Sequence, residues 1–263
     1  MRHRIDTLFT DLRARNAKAL MPFLTAGDPD LDTTASLIRE ADAAGATVCE
    51  IGIPFSDPVA DGPVIEASMC RALEGGATVQ KVFDMVASVR GEVSIGLVAM
   101  VSYSIVHRWG LSKFVADAAA AGFDGFIFPD LSLEASAPAR AAAADAGLSL
   151  SLLIAPTTPL ARARDIAQAC SGFVYVVSRA GITGAGRSLP AELPDRLKTL
   201  REVTDLPITV GFGVSSAAHV REVVAVADAA IVGSALVNAV ASAASPIAAG
   251  RAMMDELVTG LTA

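Results

Sequence analysis

The chain has 263 residues, 52% of them hydrophobic and 5% aromatic, and carries a formal net charge of −7. That length suits one α/β barrel with a large aliphatic core, and an acidic balance without a basic run argues against nucleic acid or an anionic membrane surface as partners. No window of about 18 strongly apolar residues occurs, so no transmembrane helix is expected, and the charged opening MRHRIDTLFTDLRAR lacks the apolar centre of a signal peptide.

In chain order, the opening stretch 5–15 predicts an amphipathic helix ahead of the first strand. Short apolar, β-branched runs then predict strands at 20–24, 47–51, 95–100, 125–128, 149–154, 173–177, 208–211 and 229–232. Helical stripes lie between them, such as Leu37, Ile38, Ala41 and Ala44, then Val220, Val223 and Val224, and last Met254, Leu257, Val258 and Leu261. A further helix is expected around 63–73. Eight β/α units in this length point to an α/β fold of the (β/α)8 barrel type, with extra N-terminal and loop helices and one domain over 1–263. An open doubly wound sheet usually has fewer strands. Gly and Pro cluster after the strands, where such a barrel keeps its active site.

The stretch 50–63, EIGIPFSDPVADGP, carries the sharpest chemical signal. Glu50 ends an apolar run, where a carboxylate is costly unless something needs it. Alternation puts it on the face opposite Cys49 and Ile51, toward the barrel interior, where it can give and take a proton. Asp57, in Ser56-Asp57-Pro58, reads as a turn or cap residue. Asp61 precedes Gly62-Pro63 and reads equally as a helix cap or as a second catalytic acid.

Two glycine turns suggest a phosphate site. Gly211-Phe212-Gly213 closes the seventh strand and Val232-Gly233-Ser234 the eighth, the places where barrels bind phosphate against a helix N-terminus. Gly213 and Gly233 let backbone N–H groups approach an anion, and Ser234 adds a hydroxyl. The glycine-rich run from Ser178 to Arg187, with Arg179, Gly181 and Thr183, suits a lid over substrate. Cys49, Cys70 and Cys170 lack a paired spacing and read as reduced thiols of a cytoplasmic chain. His3, His107 and His219 share no metal-ligand spacing, and the G-x-G at 211–213 lacks the rest of a dinucleotide fingerprint. No metal or nicotinamide cofactor is expected.

PFLTAGDPD (22–30), EIGIPFSDPVADGP (50–63), SRAGITGAG (178–186), GFGVSS (211–216) and GSALV (233–237) together resemble the tryptophan synthase α subunit family, in its order and spacing over nearly the whole chain. The resemblance implies a lyase of tryptophan biosynthesis on a (β/α)8 barrel. It would cleave indole-3-glycerol phosphate to indole and glyceraldehyde 3-phosphate without a cofactor of its own. It implies Glu50 as the general acid–base and Asp61 as the carboxylate at the indole N–H. Gly184, Gly213, Gly233 and Ser234 would hold phosphate; Phe23, Ile154, Tyr175 and Phe212 would line the indole pocket. Thr183 would be the lid residue that meets Asp61. The implied partner is a β subunit carrying pyridoxal phosphate, in an α2β2 heterotetramer.

The chain departs from the family at Ser102-Tyr103-Ser104, where Tyr-x-Asn is common, and at Asp130-Leu131-Ser132, where a Pro often stands. These loops motivate a second reading, a catalytically weak subunit that mainly activates a β partner. A Schiff-base aldolase on the same fold is disfavoured because no proposed strand carries an inward Lys.

Overall fold

The computed structural model describes residues 3–57, 62–178, 190, 192–211 and 213–262. Helix α1 (Arg4–Ala14) precedes strand β1 (Ala19–Thr25), and the chain continues through α2 (Leu31–Ala44), β2 (Val48–Gly52), α3 (Pro63–Glu74), α4 (Val79–Val89) and β3 (Gly96–Met100). Then come α5 (Tyr103–Trp109), α6 (Leu111–Ala121), β4 (Gly125–Ile127), α7 (Ala137–Asp145), β5 (Ser149–Ser151), β6 (Leu153–Ile154), α8 (Leu160–Ala169) and β7 (Val174–Val177). The last elements are α9 (Leu193–Arg201), β8 (Ile208–Gly211), α10 (Ala217–Val224), β9 (Ala229–Val232), α11 (Ser234–Ser242) and α12 (Pro246–Val258). The expected extra helices at 5–15 and 63–73 are α1 and α3.

Among the described residues the strands form one parallel sheet in the order β5-β4-β3-β2-β1-β9-β8-β7-β6. Its two ends, β5 and β6, are separated in the chain by Leu152, and β5 is also tied to the segment before β7 by the Ser171 N–H donating to the Leu150 carbonyl at 2.9 Å and Ser151 Oγ donating to the Phe173 carbonyl at 2.8 Å, so the sheet forms a nearly closed barrel. Eight strands were expected, and nine occur among the described residues because the run 149–154 is interrupted. The Leu152 N–H leaves the ladder to donate to Cys170 Sγ at 3.2 Å. The thiol donates back to the Leu152 carbonyl at 3.8 Å, and burial pushes it up to about 11, so it stays protonated.

Side chains separate by strand alternation into two apolar layers. Met21, Phe23, Val48, Val98, Ile127 and Tyr175 belong to the barrel interior. Cys49, Ile51, Leu97, Phe126, Val176 and Val210 face the helices, where Leu37, Ile38 and Phe114 cover them. Helix α1 closes the end of the barrel from which the strands start: its buried Ile5 and Phe9 join the interior cluster, and the Phe9 and Phe173 rings lie 6.3 Å apart. Each such buried side chain contributes roughly 1.5–3 kcal/mol. Asp124 anchors the same end, accepting from Arg90 Nη1 at 3.0 Å and the Leu97 N–H at 2.8 Å, with Arg4 Nε at 3.1 Å.

Candidate active site

At the opposite end, where the strands finish, Glu50 lies in β2 with none of its surface exposed. Its in-register neighbours are Phe23 on β1 and Val98 on β3, both in the interior cluster. Cys49 and Ile51 point the other way, as alternation required. Burial, and after it the adjacent Glu50 carboxylate, raises the Cys49 thiol and keeps it protonated. The carboxylate of Glu50 is therefore directed into the barrel, beside an aromatic ring.

Two aromatic rings at this end each rest on a glycine of the next strand. A Cβ built on Gly52 would lie 2.5 Å from Phe23 Cζ, and one on Gly211 would lie 2.6 Å from the Tyr175 hydroxyl oxygen. Only glycine at these strand ends leaves room for the rings. Phe23 also borders the ninth strand, since a Cβ on Gly233 would come within 3.7 Å of Phe23 Cβ.

Gly233 follows β9 and caps α11, whose first residue is Ser234. The helix thus presents its N-terminus at the barrel mouth, an arrangement suited to an anion. Gly213 follows β8 with φ +83°, and among the described residues nothing lies within 4 Å of a Cβ built there. Gly213 and Gly233 thus both stand just past strands that end at the barrel mouth.

Ile154 is a correction. It packs on the outer layer, lining a small cavity with Thr158, Ala163, Val176 and Leu197 between the sheet and helices α8 and α9. Leu153 pairs with Tyr175 and takes the inward place. The physical reason is phase: Ser149 and Ser151 face inward, and the alternation carries through the break at Leu152. Asp61, Arg179, Gly181, Thr183, Gly184 and Phe212 lie outside the described residues. Asp57 is exposed, its carboxylate accepting from Ser56 Oγ at 2.6 Å, in keeping with a turn residue.

The loops that follow β3 and β4 are tied together. Asp130 accepts from Ser102 Oγ and from the Tyr103 N–H, each at 2.7 Å. Ser102 also caps α5, accepting from the Ser104 N–H. Sequence reasoning missed two further contacts. Arg196 on α9 donates to the carbonyls of Ala155, Pro156 and Thr158, fastening the loop after β6. Arg71 on α3 makes a bidentate pair with Asp28 in the loop after β1. Neither has a sequence signal, because each partner lies tens of residues away. Among the described residues no cluster of His, Cys, Asp or Glu could hold a metal ion, and no helix is long and apolar enough to cross a membrane.

Comparison with known proteins agrees with this geometry. Residues 9–261 match the family model described as tryptophan synthase alpha chain. The tryptophan synthase alpha chain of Rhodopirellula baltica is 46% identical over 242 residues, which cover 91% of this chain and 87% of that protein. That of Chloroflexus aggregans is 47% identical over 237 residues, covering 90% and 89%. Among solved structures, Mycobacterium tuberculosis tryptophan synthase superposes with a TM-score of 0.92 at 33% identity, covering 100% of both chains. The alpha subunit from Legionella pneumophila gives 0.91 at 33% identity, covering 99% of both. With its family model matched almost end to end and its barrel shared with these structures, the chain belongs to the tryptophan synthase alpha chain family.

Proposed function

We propose that this chain cleaves indole-3-glycerol phosphate to indole and glyceraldehyde 3-phosphate, as the alpha subunit of tryptophan synthase in tryptophan biosynthesis. The observation that carries the reading is the wholly buried Glu50, directed into the barrel beside Phe23 in a member of this family. Glu50 delivers a proton to C3 of the indole, giving an indoleninium ion. The hydroxyl on the carbon bonded to C3 then loses its proton, its oxygen becomes the aldehyde carbonyl, and the carbon–carbon bond breaks. The bonding pair returns to the ring and restores indole. One proton enters and one leaves, so a single carboxyl group can serve both transfers.

Positive charge develops on the indole nitrogen as C3 is protonated. Asp61 placed at that N–H would stabilise the transition state more than the ground state. Gly213, Gly233 and Ser234, with Gly184, form the phosphate site at the N-terminus of α11. Phe23, Tyr175 and Phe212 line the indole pocket, with Leu153 in the inward position. Arg179, Gly181 and Thr183 belong to a lid, and Thr183 meets Asp61 on closure. The reaction uses no cofactor of this chain. The partner is a β subunit holding pyridoxal phosphate, in a cytoplasmic α2β2 heterotetramer.

The test is indole release from indole-3-glycerol phosphate by the purified chain, with and without a β subunit. Release in either condition is expected, with stimulation by the partner. Absence in both would overturn the lyase reading and leave the partner-activating one.

A further inference from the structure

Among the described residues, two polar side-chain links fasten α3 to the end of β1. Ser68 is wholly buried and donates to the Ile65 carbonyl at 2.6 Å. Its single proton is thereby used, so the Thr25 hydroxyl donates to Ser68 Oγ, also at 2.6 Å. Three residues further along the helix, Arg71 Nε and Nη2 donate to Asp28 Oδ1 and Oδ2 at 2.9 and 2.7 Å. The Asp28 side chain is only 4% exposed, whereas that of Arg71 is 44% exposed. A carboxylate so nearly removed from water needs its charge met, and a two-pronged pair fixes direction as well as distance. The backbone closes in at the same place: Gly27 has φ +92°, and a Cβ on it would lie 2.9 Å from Ala77 Cβ.

These contacts hold both the roll and the slide of α3. That helix carries Ile65 and Met69 into the interior cluster with Phe23. Its cap, Gly62, is bonded directly to Asp61. We propose that the Asp28–Arg71 pair is a positioning device for the lyase reaction, keeping α3 in register with β1 so that the barrel mouth holds its reactive shape. The inference rests on the reading of Glu50 and Asp61 as the working acids. Both partners of the pair are positioning residues and touch no substrate. Removing Arg71 leaves the nearly buried Asp28 charge unmet, so a lower melting temperature accompanies the loss, and the split between kcat and KM is what separates positioning from stability.

The experiment compares Arg71→Met and Arg71→Lys with the parent for kcat and KM toward indole-3-glycerol phosphate and for melting temperature. Misplacement at the mouth lowers kcat of Arg71→Met by about tenfold or more while KM changes by less than about threefold. Arg71→Lys, which keeps the charge but not the fork, recovers part of that loss. A kcat for Arg71→Met within about twofold of the parent overturns the proposal, as does a loss that Arg71→Lys does not lessen. Should Arg71→Met fail to fold, Asp28→Asn replaces it, since it keeps the shape and removes the charge. Asp61→Asn, run in parallel, separates the two possible failures. If it is slow while Arg71→Met is not, positioning falls and the acid assignment stands. If it is unimpaired, the acid assignment falls whatever Arg71 does.

Discussion

Phe23 and Gly52 share one space at the barrel mouth: the ring of the first lies where a side chain on the second would be, 2.5 Å from a Cβ built there. The contact comes from β1 and β2, and Gly52 lies two residues beyond Glu50 on the same face. Gly52→Ala is therefore expected to push the ring aside. Overpacking of this kind costs about 1–3 kcal/mol, and here the displaced group is a proposed wall of the indole pocket. The expected outcome is a lower melting temperature together with a kcat/KM reduced by about tenfold. Unchanged kinetics would mean that the ring can move without consequence and does not contact the substrate.

The two acids should fail differently. Glu50→Gln keeps the shape of the side chain but cannot shuttle a proton, so indole release is expected to fall by about a hundredfold or more with the fold retained in circular dichroism. Parental turnover would sink the acid–base role. Asp61→Asn removes a charge rather than a proton carrier, and a loss on the order of a hundredfold is expected if it faces the developing cation. A change below about threefold would remove Asp61 from the chemistry; the cap reading is not its alternative, since the N-cap of α3 is Gly62.

How much of this was legible in the sequence differs from residue to residue. The inward direction of Glu50 followed from its alternation with Cys49 and Ile51, because a strand has a period of two and no exceptions occur within β2. The helices at the N-terminus and after the 50–63 stretch were legible for the same reason, as uninterrupted periodic patterns. Ile154 was not, because the run 149–154 contains three bulky residues in its second half, and these by themselves do not say which of Leu153 and Ile154 faces in. The phase is set by Ser149 and Ser151, two small polar residues that a search for hydrophobic pocket walls passes over. The break at Leu152 depends on Cys170, eighteen residues away. The Asp28–Arg71 and Arg196 contacts were invisible for the same reason, since they join segments that only the closed barrel brings together.

The far end of the barrel should govern stability alone. Arg90 and Asp124 are both largely buried, with side-chain exposures of 15% and 12%. Arg90 also donates to the carbonyls of Val93 and Ile95. Arg90→Met strands the Asp124 carboxylate with only Arg4 beside it, and a loss of about 3 kcal/mol in unfolding free energy is expected. Because the substitution lies at the end of the barrel away from the mouth, kcat and KM should stay within about twofold of the parent. Chemical denaturation and steady-state assays on the same preparation would check both halves. A kinetic defect without a stability defect would contradict the division of labour between the two ends.

The interruption at Leu152 cuts the wall into two arcs, one from β1 to β5 and one from β6 to β9, meeting at a sulfur-bonded seam and along the β1–β9 ladder. The proposed proton donor sits on the first arc and the proposed phosphate cradle on the second. A substrate bound between them spans the two halves of the polypeptide like a clasp. Between those two groups the wall is continuous, since β2 and β9 both pair with β1. The joint at Leu152 is thus part of the wall that keeps the reacting group and the anchoring group at one separation.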